Sequence, residues 1–311
     1  MGIPNLNKLI IEKSNSAVYK KHLSYFSGKK IVIDTSIYLY KYYGQNKLIE
    51  NFYLLISLLL YYDIEPIFVF DGKPPDEKKE LLKKRKLSKQ DAEEKYKKLE
   101  EEYKNTKVSS QEKKELQIEL DKLKKQFIRI KDNEIQLIKR LIESFGITYY
   151  KAEGEADVLC AQLVISNEAY GCLSDDMDLL ALGCNKVLRY FSILNHTVIL
   201  YDTNKILENL ELNIQDFRNI ITLSCNDFNI KNSLSIWQSF SLYKKYIKQN
   251  TINSFEEWLI ANNTITSSDE FNSITQLFDS TKIIIPEKKE TNRNNENLKN
   301  MLIDDGFIFV D

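Results

Sequence analysis

The stretch GCLSDDMDLLALG (171–183) sets Asp175, Asp176 and Asp178 within four positions, between two apolar runs. Carboxylates that close repel one another, and each resists leaving water. The pattern recurs along the chain. KKIVIDTSIYLY (29–40) ends a β-branched run at Asp34, IEPIFVFDGKPP (64–75) ends another at Asp71, and GEADVLCAQLVI (154–165) opens an apolar helix with Glu155 and Asp157. Clustered carboxylate oxygens suit hard divalent cations, Mg²⁺ or Mn²⁺. Two such ions about 4 Å apart can clamp a phosphodiester, activate water and stabilise the leaving oxygen. A single Asp at a strand end is more often a helix cap or turn former, and Asp175 reads as that alone. Four independent caps landing on one edge is the weaker explanation.

The acids meet only if the chain between them folds to bring them together. Strands are expected at 29–34, 64–71, 147–152, 171–174 and 186–191. A helix capped by Thr35 or Ser36 follows the first, 51–63 forms an apolar helix, and Gly72, Pro74 and Pro75 break the chain after the second strand. Ile135, Ile138, Leu141, Ile142 and Phe145 mark a helix that Gly146 ends. Strands alternating with helices predict an α/β fold, a mostly parallel central sheet flanked by helices. In such a sheet ligands bind outside the carboxyl ends of the strands, where Asp34, Asp71, Glu155, Asp157, Asp176 and Asp178 all fall.

Residues 76–131 have another composition. From 73 to 131 there are 20 Lys and Arg against 13 Asp and Glu, in a chain whose net charge is −1. KKELLKKRKLSK (78–89) is the densest part, and Leu116, Leu120, Leu123 and Phe127 recur at helical spacing beyond a polar break, NTKVSS (105–110). A helical arch inserted into the sheet domain is expected; the alternative is a solvated coiled coil for protein contact. KKRK (83–86) also has the composition of a nuclear-import patch. Residues 203–250 read as helical, with Ile206, Leu207, Leu210, Ile214, Phe217 and Ile221 on one side. PEKKETNRNNENLK (286–299) reads as a disordered polar linker before a short apolar and acidic end.

The bulk properties exclude other classes. Cys160, Cys172, Cys184 and Cys225 form no C-x-x-C pair and read as buried free thiols, and two histidines argue against zinc. LLISLLLYY (54–62) is too short to span a bilayer, and Leu6 spoils a myristoylation pattern in MGIPNL. The expectation is a soluble, reduced, intracellular protein without a membrane partner.

In order and rough spacing, MGIPNL, VIDTSIYLY, VFDGKPP, EGEAD and SDDMDLLALG resemble the flap endonuclease and xeroderma-type 5′ nucleases, over about residues 1–230. The resemblance implies a PIN-like 5′ nuclease fold. Its domains would be 1–202 with the basic helical arch 76–131 inserted, a helical region 203–285, and a polar linker and tail 286–311. The family's metal ligands fall on Asp34, Asp71, Glu155 and Asp157 for one ion and on Asp176, Asp178 and Asp227 for a second. The last of these lies in LSCNDF, where relatives show Gly-Ser-Asp-Tyr. Its catalytic gateway bases fall on Lys78 and Arg85, its base-stacking tyrosine on Tyr40, and its close-approach glycine on Gly2. Lys83, Lys84, Lys244 and Lys245 join these as expected DNA contacts.

Departures from the family are equally specific. Asp157 replaces the glutamate usual in cellular members, and Leu55 stands where an arginine contacts phosphate. KNSLSIWQSFSLYKK (231–245) lacks both glycines of a duplex-gripping G-x-G hairpin, so the helix-hairpin-helix-like segment is degenerate and Lys244, Lys245 and Lys248 would have to substitute. NMLIDDGF offers Asn300, Ile303 and Phe307 to a sliding clamp but puts Gly306 in the first aromatic place, which favours an edge-strand or terminal packing role. On these departures a divergent member of the family, of cellular or viral origin, is expected.

The resemblance thus implies a monomeric structure-specific 5′ nuclease with two Mg²⁺ per site, Mn²⁺ substituting. It would cut DNA at a 5′ flap or single-strand/duplex junction in replication, repair or recombination, in the nucleus or at a viral replication site. Rival readings are a 5′→3′ exonuclease or four-way-junction resolvase on the same sheet, an RNA-directed relative, and a DNA-binding factor that does not cut.

Overall fold

The computed structural model describes residues 2–105, 110–228, 234–249 and 253–309. Seven strands form one sheet: β1 (Val18–His22), β2 (Lys30–Asp34), β3 (Glu65–Phe70), β4 (Tyr149–Lys151), β5 (Gly171–Leu173), β6 (Lys186–Ser192) and β7 (Thr197–Asp202). Their spatial order is β1-β7-β6-β5-β2-β3-β4. β2 through β6 run parallel, while β7 and β1 continue the sheet antiparallel. The chain leaves β2 for β3 on one side and returns to β5 on the other, so the switch point lies at the ends of β2 and β5.

The helices before the arch are α1 (Leu6–Ser14), α2 (Thr35–Tyr43) and α3 (Leu48–Tyr61). The arch is α4 (Lys79–Asn105) and α5 (Ser110–Gln126), and α6 (Asp132–Ser144), α7 (Ala156–Ile165) and α8 (Asp178–Ala181) follow. Beyond the sheet come α9 (Thr203–Leu210), α10 (Ile214–Leu223), α11 (Ile236–Gln249), α12 (Phe255–Ala261), α13 (Ser268–Leu277) and α14 (Asn295–Asp304).

Alternation along the buried strands divides the core into two layers. Ile31, Ile33, Phe68, Phe70, Leu173 and Leu188 face α2, α3 and α6. Val32, Ile67, Val69, Cys172 and Val187 face α1, α7, α9 and α10. Leu55, where an arginine was looked for, is fully buried in the first layer. In the arch, Ala92 and Leu120 are buried, Tyr96 packs edge-on to Phe127, and Arg129 pairs with Glu93 at 2.8 Å. Residues 106–109 of the expected polar break lie outside the described residues.

Four sequence expectations are corrected. Neither Thr35 nor Ser36 caps α2; Asp34 stands at the N-cap, and the Ser36 hydroxyl turns away to Asp71. The helical region after residue 203 is broken at 211–213 and again after Leu223. Cys225 is half-buried, whereas Cys160, Cys172 and Cys184 are buried free thiols as expected. The polar linker is structured: Lys289 pairs antiparallel with Tyr149, the Asn294 N–H donates to Ser144 O at 2.9 Å, and α14 buries Leu298 and Leu302. Two apolar residues at i, i+4 suffice to dock a helix on a preformed surface, a signal too sparse to stand out in a polar stretch. Phe307 packs against Tyr53 with ring centroids 5.5 Å apart, in the terminal packing role favoured above.

Candidate active site

The carboxyl ends of β2, β3 and β5 bring the acids together. Asp34 closes β2, and its Oδ2 accepts the Ser174 hydroxyl at 2.9 Å from just beyond β5. Asp71 follows β3; it accepts the Ser36 hydroxyl on one oxygen and the Ala156 N–H at 2.7 Å on the other. That second bond fixes the start of α7, where Glu155 is the N-cap and Asp157 lies in the first turn. Asp178 opens α8 and donates its N–H to Asp176 Oδ1 at 3.1 Å. Gly72 holds the β3 end against the β4–α7 turn through an N–H bond to Gly154 O at 2.7 Å; a Cβ there would run into Ala152 and Glu153 carbonyls.

Several of these carboxyls act on one another electrostatically. Burial, then Asp71 and Asp157, pushes Asp34 well above the usual carboxylate range. Burial and then Glu155 raises Asp157 to about 7. Asp178 is raised by burial and then by Asp176 and Asp227, and its Oδ1 is buried with no hydrogen-bond partner. Gly2, at φ +83°, lies against the same two acids: a Cβ would come within 2.7 Å of Asp178 Oδ1 and closer still to Asp176.

Two bases from the arch face the acids. Lys78 is only 5% exposed, and its Nζ lies 2.7 Å from Glu155 and 3.5 Å from Asp227. Burial opposes its charge, but Asp157 and Glu155 outweigh burial and raise its pKa. Arg85 reaches both oxygens of Asp227, at 3.0 and 3.1 Å. The carboxyls are gathered without closing on one point: among the described residues no three His, Cys, Asp or Glu side chains are arranged to hold a metal ion. Lys78 stands among them as the counter-charge. The donor set nevertheless fits a hard divalent cation. It is all carboxylate oxygen, with Asp34 and Asp178 raised in pKa by burial and then by neighbouring acids, and with one buried oxygen left unpartnered.

The other expected residues divide. Lys84 and Arg85 line a cavity of about 400 Å³ with Gly2 and Asp227 at the arch base. Tyr40 is 45% exposed, with the Lys89 ammonium 5.1 Å from its ring. Lys83 and Lys245 are exposed. Lys244 is already engaged, with Leu210 O and Glu211 each at 2.9 Å. Residues 231–233 of the degenerate hairpin lie outside the described residues. Sequence reasoning missed Ser36, Ser174 and Arg189. Arg189 donates to Asp175 O at 2.9 Å, and Asp175 Oδ1 accepts the Tyr190 N–H at 2.7 Å, so Asp175 fastens the acidic loop to β6. The serines could have been found as hydroxyls adjoining strand-end acids; a buried Arg inside a strand has no such signal.

A carboxylate rim at the switch point of a largely parallel sheet, beneath a basic helical arch, defines the class: an α/β protein of PIN-like nuclease architecture. Residues 1–92 match the XPG N-terminal domain and residues 146–227 the XPG I-region. Flap endonuclease 1 of Drosophila mojavensis is 30% identical over 272 residues, covering 81% of this chain and 67% of that protein. The chain therefore belongs to the flap endonuclease and XPG family. It spans 67% and 60% of the length of the first two curated relatives it matches. Among solved structures, the catalytic core of Rad2 in complex with DNA substrate superposes with a TM-score of 0.66 at 22% identity, covering 97% of this chain and 94% of that one. The Holliday junction-resolving enzyme GEN1, in complex with product DNA and Mg²⁺, gives 0.54 at 18% identity, covering 95% and 72%. These two are likenesses of fold.

Proposed function

We propose that this chain is a divalent-metal-dependent, structure-specific 5′ nuclease that hydrolyses DNA phosphodiesters near single-strand/duplex junctions. The observation that carries the reading is the gathering of carboxyls at one sheet edge, Asp34 and Asp178 buried among them and Asp178 Oδ1 unpartnered, with Lys78 and Arg85 paired to Glu155 and Asp227. Family membership agrees, as do a DNA substrate with Rad2 and product DNA with Mg²⁺ in GEN1.

Asp34, Asp71, Glu155 and Asp157 would hold one Mg²⁺ and Asp176, Asp178 and Asp227 a second, with Mn²⁺ able to substitute. When bound, the ions supply Lewis-acid polarisation of the scissile phosphate and a water acidic enough to attack near neutral pH. The chain's own residues do the rest. Lys78 and Arg85, beside Glu155 and Asp227, would offer their donors to the phosphate where charge develops. Gly2 leaves the backbone thin beside Asp176 and Asp178, so the substrate strand can come close. Half-exposed Tyr40 offers a face to a base, worth about 1–3 kcal/mol. The product would carry a 5′-phosphate. The protein would act as a monomer at sites of DNA replication or repair.

The test is direct. Labelled flap, nicked, blunt, single-stranded and four-way substrates are incubated with and without Mg²⁺, alongside Asp71→Ala and Asp176→Ala. Mg²⁺-dependent cutting next to the junction, absent from both variants, is expected. Cutting that survives both substitutions overturns the site; no cutting of any substrate leaves a DNA-binding factor.

A further inference from the structure

Two arginines are buried against the acidic loop and α8, and each holds a backbone carbonyl there. Arg189 on β6 is 6% exposed and Arg218 on α10 is 8% exposed. Burying a guanidinium is costly unless its donors are used, so what each one holds is informative. Arg189 grips the chain on either side of Asp176. One terminal nitrogen donates to Asp175 O at 2.9 Å, and the other lies 2.6 Å from Met177 Sδ. Its other partners among the described residues are neutral: Asn7 Oδ1 at 3.5 Å and the rings of Tyr190 and Tyr201, 4.6 and 5.3 Å from the guanidinium carbon. The Asp175 carboxylate points elsewhere, accepting the Tyr190 N–H at 2.7 Å and facing Lys41 at 3.9 Å.

Arg218 holds the far end of the same segment. Its Nε donates to Ala181 O at 3.0 Å, at the last residue of α8, and a terminal nitrogen lies 3.7 Å from Asp279. The next carbonyl, Leu182 O, accepts the buried Ser280 hydroxyl at 2.9 Å. Asp279 and Ser280 follow α13, so the C-terminal helices reach the acidic segment through these contacts. α8 is a single turn, too short to keep its shape alone, and Asp178 is its first residue. Asp176 and Asp178 are two of the three proposed ligands of the second ion, and they sit on a loop and one turn of helix. What stiffens that segment is therefore what preorganises the ligands.

We propose that Arg189 and Arg218, with Ser280, brace the loop and short helix that carry Asp176 and Asp178, and so set the affinity of the second metal ion. The inference rests on the metal-site reading above and deepens it. All three are positioning residues: they hold the backbone at 175, 181 and 182 and leave the carboxylates of Asp176 and Asp178 to the ion. The brace gives the C-terminal helices a part in metal binding, although no proposed ligand lies beyond residue 227.

The variants are Arg189→Met, Arg218→Met and Ser280→Ala, read first by calorimetric titration of Mn²⁺ into the full chain without DNA. Asp176→Ala marks which binding step belongs to the acidic loop. That step should weaken about tenfold in each methionine variant and about threefold in Ser280→Ala, the scale at which residues that orient metal ligands act. Arg189→Lys keeps the charge but not the two-armed grip, so it should bind Mn²⁺ no better than Arg189→Met. In cleavage assays the Mg²⁺ concentration for half-maximal rate should rise by the same factors. KM for DNA should stay unchanged, and saturating metal should bring the rate to within about twofold of the wild type. Unchanged ion affinity in the folded variants, even with a lower melting temperature, makes the arginines ordinary core residues and overturns the proposal. Full recovery by Arg189→Lys overturns it too, by assigning the effect to charge. Should the methionine variants not fold, Ser280→Ala and Arg189→Lys decide: weaker binding in both supports the brace, and unchanged binding in either overturns it. Weakened Mn²⁺ binding beside a wild type that cuts nothing supports the brace and removes the nuclease reading; a wild type that binds no ion overturns both.

Discussion

The carboxylate rim and three lysines near it occupy one edge of one sheet and are built in opposite ways. The acids are fixed: Ser174 holds Asp34, Ser36 and the Ala156 N–H hold Asp71, and the Asp178 N–H holds Asp176. Asp34 and Asp178 are also out of water, so their charge is costly until a cation of fixed geometry arrives. Lys73, Lys139 and Lys151, at the end of β3, on α6 and on β4, are half-buried or exposed on long stems. Preorganised, desolvated charge suits a metal whose position must be exact to a fraction of an ångström. Mobile, hydrated charge suits a polymer whose path varies.

The largest expected effect breaks the rim alone. Asp178→Asn keeps the shape and removes a buried charge. Cleavage should fall about 10²- to 10³-fold, the scale at which one group aimed at developing charge acts. The metal-free protein should melt at the same temperature or higher, because a like charge beside Asp176 and Asp227 is gone. A lower melting temperature together with lost activity would make Asp178 a structural residue.

The second test reads the rim by pH. Asp34, Asp157 and Asp178 are raised in the folded chain, so the folded state binds protons that the unfolded state releases. Their contribution to stability is complete below the ordinary carboxylate range near about 4 and is lost as pH climbs through the folded values, about 7 for Asp157. The metal-free melting temperature should therefore fall between acid and neutral pH. Mg²⁺, binding the ionised form, should restore it most at the higher pH. A metal-free curve that rises with pH contradicts the account.

The rim was legible because each acid ends an apolar run, a pattern that strand propensity and burial both require; topology then needed only alternation of strands and helices. The grouping of the lysines was not, because a lysine after a strand or on a helix face is the ordinary solvated residue. β1 escaped because VYKKH is half-exposed and breaks the apolar pattern. β7 escaped because its hairpin turns at Asn195 and His196, with His196 at φ +51°, in place of a glycine. The docked tail, α14, was hidden by its polar composition and is held by contacts with α6 and β4 that no local window contains.

The smallest expected effect separates the two bases that bridge arch and rim. Lys78 is buried between Glu155 and Asp227, so Lys78→Met leaves acids without their counter-charge and should lower metal-free stability by more than a surface pair could, with Mg²⁺ recovering the loss. Arg85 is 48% exposed at its side chain and pairs with Asp227. Arg85→Ala should cost at most about 1 kcal/mol, the range of exposed ion pairs, and less in high salt. Its rate of cleavage should fall all the same if the guanidinium turns from Asp227 to the phosphate during reaction. Paired melting curves and single-turnover rates for the two variants measure both halves. Equal stability losses would mean that the arch is fastened to the rim through both bases alike. A stability loss at Arg85 without any change in rate would make it a latch that plays no part in the chemistry.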